Sequence, residues 1–219
     1  MSVRDDDEFI AGAVHQLCTE PNSDLLFICT NITHLTLCEL DPHSYESYSL
    51  PSLQHLQNLK YLSLDLLVGD MSKDTLPPNI THLQFHDVVW SNVLLLVQFA
   101  QNCPCLTHLM LDCDFDDIDD DILGVNQFTD SLPDIMVALR ECRHVVITVL
   151  RRYSDHFNFS ETVLAEIKRL QEQYYPQLIL AGNDGQVDTF QYTMQCPEPL
   201  LWEFEFWDEM EGFLTRIRA

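Results

Sequence analysis

The sequence predicts an α/β fold in which short strands stack in parallel and return through helical or irregular segments, a repeat solenoid. Three observations carry this reading. One apolar pattern recurs four times, its recurrences are spaced as one structural unit each, and the segments between them hold helix-forming runs punctuated by turn residues. At 219 residues the chain has the length of one domain.

The pattern is L-x-x-L-x-L. It occupies Asn31 to Leu37, Asn58 to Leu64, Asn79 to Phe85 and Cys105 to Leu111, with apolar triplets Ile32/Leu35/Leu37, Leu59/Leu62/Leu64, Ile80/Leu83/Phe85 and Leu106/Leu109/Leu111. The central leucines 35, 62, 83 and 109 lie 27, 21 and 26 residues apart. Leucine-rich repeats span about 20–29 residues. Side chains alternate along a strand, so the fourth and sixth positions share a face, and the first turns inward ahead of the strand. No such unit buries its apolar face alone, and stacking supplies the missing partner.

The remaining elements follow in order. Residues 1–30 are expected to form an N-terminal cap, 31–150 the solenoid, and 151–219 a last repeat, hairpin and capping helix of the same domain. Pro51 to Gln57 reads as a short helical turn, and Leu76-Pro77-Pro78 ends its segment because proline lacks a donor and restricts its predecessor. Ser91 is placed to cap a helix over Asn92 to Asn102. A helix is expected over Pro133 to Glu141, then a buried strand His144 to Leu150 with the triplet Cys142/Val145/Ile147. Ser160 to Gln173 is an amphipathic helix with the stripe Val163, Leu164, Ile167 and Leu170. Leu178 to Leu180 is a strand. Asn183-Asp184-Gly185 marks a hairpin turn with Gln186 to Thr193 returning antiparallel. From Leu200 onward Trp202, Phe204, Phe206, Trp207, Met210, Phe213 and Leu214 fit a helix capping the open end of the stack. The total is about five or six parallel strands.

Charge narrows the function classes. Eleven Lys and Arg face 35 Asp and Glu, a net charge of −24. Nucleic-acid affinity rests on cationic side chains neutralising phosphates, so nucleic acid is not an expected partner, and anionic membrane surfaces are disfavoured for the same reason. The charge serves either as a solubilising surface or as long-range attraction for a basic partner. The start, Met1 to Glu8, is acidic where a secretory leader is basic and then apolar, and the most apolar stretch, Val88 to Ala100, is too short to span a bilayer. A cytoplasmic or nuclear protein is expected. The eight cysteines then read as free thiols, most of them, such as Cys18, Cys29, Cys38 and Cys142, inside apolar patterns. The sequons at Asn31, Asn79 and Asn158 are taken as coincidental.

Chemistry-bearing motifs are sparse. The residue before each central leucine forms a column, His34, Tyr61, His82, His108 and His144, which reads either as inherited repeat sequence or as a pH-sensitive or metal-binding ladder. Cys103-Pro104-Cys105, with His108 and Cys113, lacks the two-to-four-residue spacing of a zinc knuckle. The acidic run Asp112 to Asp121 has Asp117 and Leu123 where a calcium loop needs glycine and glutamate. No nucleophile elbow, phosphate loop, dinucleotide fingerprint or metalloprotease helix occurs, and no cofactor or metal is expected. Asp155-His156 beside Ser154 would need a deep pocket and a nucleophile to make an enzyme. The expected function is therefore non-catalytic binding of a protein partner by a monomer. Alternation puts the contact residues on the outward face of the strands: His34, Thr36, Tyr61, Ser63, Asp65, His82, Gln84, His86, His108, Met110 and Asp112.

The repeated Ile-Thr-His-Leu and Leu-Thr-His-Leu, with Cys142 to Ile147, resemble the leucine-rich-repeat region of fungal F-box-associated proteins. In that family an apolar strand is followed by a tyrosine, an acidic-aromatic step and a tryptophan-bearing end, places that Tyr153, Asp155 and Phe206-Trp207 fill, with His156 where the family has tryptophan. The likeness covers roughly residues 24 to 214. The repeat consensus carries Asn or Cys after the strand, where this chain has Leu40, Leu67, Val88 and Asp114. The resemblance implies a substrate-recognition portion of an F-box-type ubiquitin-ligase receptor as the alternative function. No F-box precedes the repeats in this sequence.

Overall fold

A computed structural model of the chain describes residues 14–21, 23–38, 48–65, 68–70, 76–89, 92–114, 121–150, 161–174 and 177–182. The strands are β1 (Gln16–Thr19), β2 (His34–Cys38), β3 (Tyr48–Ser49), β4 (Tyr61–Asp65), β5 (Val68–Asp70), β6 (His82–Val89), β7 (His108–Asp114), β8 (His144–Leu150) and β9 (Leu178–Gly182). The helices are α1 (Leu25–Ile28), α2 (Val93–Ala100), α3 (Asp121–Ala138) and α4 (Glu161–Tyr174). The fold is α/β with an open parallel sheet. Two compact units divide the chain: 1–87 with 95–109, and 88–94 with 110–219.

In the first unit the sheet order is β1-β2-β4-β6, leading to the start of β7. The register aligns the repeat motifs position for position. His34 lies beside Tyr61 and Tyr61 beside His82, Leu35 beside Leu62 and Leu62 beside Leu83, Leu37 beside Leu64 and Leu64 beside Phe85. All nine residues of the first three triplets are at most 2% exposed. Each buried leucine contributes about 1.5–3 kcal/mol relative to exposure. Phe99 of α2 meets Phe85 edge to face at 6.2 Å, a favoured aromatic geometry.

The connecting segments follow local rules. Pro51 to Gln57 forms a turn, in which the Leu56 amide donates to Leu53 O, and Leu53 and Leu56 are fully buried. Val93, Leu96, Val97 and Ala100 bury one stripe of α2 while Leu94 and Leu95 are half exposed, the spacing of a helix with one face inward. α4 begins at Glu161, one residue after the expected cap, and Ser91 and Ser160 lie outside the described residues.

Three elements differ from expectation. Within the segment expected as a cap, β1 pairs in parallel with β2, putting Leu17 beside Leu35 and Thr19 beside Leu37. Thr19, 8% exposed, takes a leucine's place, so the motif there is degenerate. The second difference is a small parallel pair, β3 with β5, in the segments after β2 and β4. Finally, α3 starts at Asp121 and runs through Pro133 rather than beginning there. Proline is tolerated in a first turn and disfavoured within a helix, which is why the sequence points to a start at Pro133. Leu132, Ile135, Met136 and Leu139 are nonetheless buried together, and that burial outweighs the lost donor.

In the second unit β8 pairs in parallel with β9, with Val145 beside Leu178 and Ile147 beside Leu180. Val145, Ile147 and Leu178 are fully buried. Gln177 donates to the carbonyls of Leu139 and Cys142 at 2.7 and 2.9 Å, tying the turn before β9 to the end of α3 and the start of β8. The hairpin, the capping helix, and Tyr153, Asp155, His156 and Phe206-Trp207 lie outside the described residues. Among the described residues no helix is long and apolar enough to cross a membrane.

The core assignment predicts that Leu83→Ala costs about 2–5 kcal/mol in urea unfolding. The exposed Leu94→Ala should stay within about 0.5 kcal/mol of wild type.

Candidate functional site

The outward residues of the first-unit strands form a stack of rings. His34 lies on Tyr61 with centroids 4.1 Å apart, Tyr61 on His82 at 4.2 Å, and His82 on His108 at 4.1 Å, with interplanar angles of 10°, 20° and 6°. Parallel strands are spaced about 4.8 Å apart, and in-register planar side chains close most of that gap.

What holds the rings is the residue before each one. Thr33 Oγ1 is 2.8 Å from His34 Nδ1, Thr81 Oγ1 2.9 Å from His82 Nδ1, and Thr107 Oγ1 2.8 Å from His108 Nδ1. Each threonine hydroxyl also donates to a carbonyl of the preceding strand segment: Thr33 to His15 O at 3.0 Å, Thr81 to Lys60 O at 3.2 Å, Thr107 to Thr81 O at 3.0 Å. A hydroxyl has one proton. With that proton on the carbonyl, the oxygen can only accept from the imidazole. In that arrangement the ring carries its proton on Nδ1, and in the neutral form Nε2 is the unprotonated nitrogen.

The same carbonyls also accept backbone donors. His15 O takes the amides of Thr33 and His34, Lys60 O those of Thr81 and His82, and Thr81 O those of Thr107 and His108. Thr33 O takes the amides of Lys60 and Tyr61. At that step, the second in chain order, the hydroxyl is missing, because Lys60 replaces threonine, and tyrosine replaces histidine beside it. A second ladder runs alongside, with Asn58 Nδ2 donating to Asn31 Oδ1 at 3.3 Å and Asn79 Nδ2 to Gln57 O at 2.9 Å.

Burial favours neutral imidazole. His82 is held down to about 3, first by burial, then by the charges that His108 and His34 would carry. Cys113 is pushed well up by burial and then by Asp112. Cys142 is pushed up to about 11 by burial. Such thiols stay protonated and unreactive at neutral pH.

The expected contact residues divide by exposure. His34, Thr36, Tyr61, His82 and His86 are half-buried, whereas Ser63, Gln84, His108, Met110 and Asp112 are buried at 1–6% exposure. Side chains that point away from the core are therefore covered in part by their neighbours, and alternation alone overestimates what faces solvent. Thr36, Ser63 and Gln84 are adjacent by register, and His86 Nε2 lies 3.1 Å from Ser63 Oγ. Gln84 Oε1 is buried with no hydrogen-bond partner among the described residues. Asp65 closes β4 with its Cα beside that of Cys38. Met110 and Asp112 belong to the second unit, as does His144, which is fully buried.

Sequence reasoning missed Thr33, Thr81 and Thr107 as working residues. The signal was present as the repeated Thr-His pair, whose physical content appears only once the preceding carbonyl is in place. Among the described residues no three His, Cys, Asp or Glu side chains are grouped to hold a metal ion. Cys103 is buried while Cys105 is exposed. No protein-family model matches the chain, and no curated protein or solved structure is similar to it.

Thr81→Val removes both the donor to Lys60 O and the acceptor for His82. It should cost about 1–3 kcal/mol in denaturant unfolding, and Thr81→Ser should recover most of that loss.

Proposed function

We propose that this chain is a leucine-rich-repeat-like solenoid that acts by binding a protein partner rather than by catalysis, using the strand face that carries the ring stack. The observation that carries the reading is the in-register row His34, Tyr61, His82 with half-buried Thr36 and His86 beside it. Binding surfaces gain most from aromatic side chains that are already ordered before the partner arrives, because less side-chain entropy is lost on association. Stacked rings, of which His34 and His82 each contact a threonine hydroxyl, meet that condition. The net charge of −24 favours a basic partner, whose approach it accelerates at low salt. The receptor alternative uses the same face and differs only in what is bound.

The test is affinity capture from source-cell extract with identification by mass spectrometry. Wild type is compared with Thr36→Arg/His86→Arg on the strand face and Leu94→Arg on α2. A partner captured by wild type and by the α2 variant, but reduced at least about tenfold (about 1.4 kcal/mol) by the strand-face variant, is the expected result. Ubiquitin-ligase subunits among the captured proteins would specify the receptor alternative. Loss with the α2 variant alone would place binding elsewhere and overturn the proposal.

A further inference from the structure

His82 sits in the middle of the row, with an aromatic ring against each face: Tyr61 at 4.2 Å and His108 at 4.1 Å. Its Nδ1 lies 2.9 Å from Thr81 Oγ1. A neutral imidazole fits this place. A cationic one would lie directly on a second imidazole able to take up a proton, inside a partly desolvated stack, where like charges repel more strongly than in water.

We propose that the ring stack is an acid-sensitive latch, which adds to the hold between β4, β6 and the start of β7 while its imidazoles are neutral and loosens it when they take up protons.

Among the described residues, the groups near His82 are His34 and Tyr61 from β2 and β4, His108 from β7, Thr81 just before its own strand, and Gln84 and His86 along it. Lys60, before β4, is exposed. Asp112 of β7 lies four residues beyond His108, in the second unit. The charge effects that bear on His82 come from His108 and His34, and both oppose its protonation. With Nδ1 donating to Thr81, that contact is the same in both charge states.

The sign of the effect follows. The ring titrates at 6.5 when the chain is unfolded and at about 3 when folded. Its contribution is fully present above pH 6.5 and is lost progressively as pH falls from there toward 3, because the unfolded state then binds the extra proton. Between pH 7 and 5 one imidazole held fully neutral lowers the folding equilibrium constant by about 25-fold. Partial exposure of His82 reduces this to roughly tenfold.

Position 61 supplies the natural control, since tyrosine already occupies the row there without titrating in this range. The experiment is urea unfolding of the full chain at pH 7 and pH 5 for wild type and His82→Tyr. The quantity read is the wild-type to variant ratio of folding constants, which cancels the carboxylate titrations common to both. The ratio should fall by roughly tenfold at pH 5, and a ratio unchanged with pH would overturn the proposal. Should His82→Tyr fail to fold, the ring C–H resonance of His82 in the wild type decides. A titration midpoint below pH 5 supports the latch, and a midpoint near 6.5 overturns it.

Discussion

One backbone carbonyl per repeat is the constraint on which the first unit depends. His15 O, Lys60 O and Thr81 O each receive two amides and one threonine hydroxyl from the next repeat, and Thr33 O receives two amides. Two consecutive amides converging on one oxygen fix where the next strand starts. Once that start is fixed, period-two alternation assigns every following side chain to a face. The leucine triplets then meet triplets, and the rings before the central leucines meet rings. Slipping the register by one residue would exchange the two sets and expose the core.

The two faces differ in energetic weight. Nine triplet side chains are buried almost completely, each worth about 1.5–3 kcal/mol. A stacked aromatic pair adds about 0.5–1.5 kcal/mol beyond its burial, and there are three such contacts in the row. The leucines therefore hold the unit together, while the stack is a consequence of their register. That leaves the ring row free to be shaped for another purpose. Threonine hydroxyls contact its imidazoles and burial favours the neutral state of His82, neither of which the core requires.

The sequence made legible what depends on a repeated local pattern. The inward triplets and the strands at His34, Tyr61, His82, His108, His144 and Leu178 follow from L-x-x-L-x-L and alternation. What stayed hidden depends on contacts distant in sequence. β1 escaped because Thr19 stands where the pattern needs leucine, yet it is buried beside Leu37. Pro133 hid the beginning of α3, since tertiary burial there overrides a strong local signal. Exposure along the contact face was misjudged because a side chain pointing away from the core can still be covered by its neighbours, as His108 at 6% and Gln84 at 5% are. The pairing of Thr33, Thr81 and Thr107 with the following histidine was visible as letters. Its meaning required knowing that each hydroxyl also reaches a carbonyl of the preceding strand segment.

The account's central claim is that threonine hydroxyls, bound to the preceding repeat, hold neutral histidines in one tautomer along the parallel strands. Long-range proton–nitrogen correlation spectra of the uniformly 15N-labelled protein near pH 7.5 report which imidazole nitrogen carries the proton. The account predicts the Nδ1-protonated pattern for His34, His82 and His108. The Nε2-protonated pattern that dominates in free imidazole side chains, found at these three rings, would contradict it.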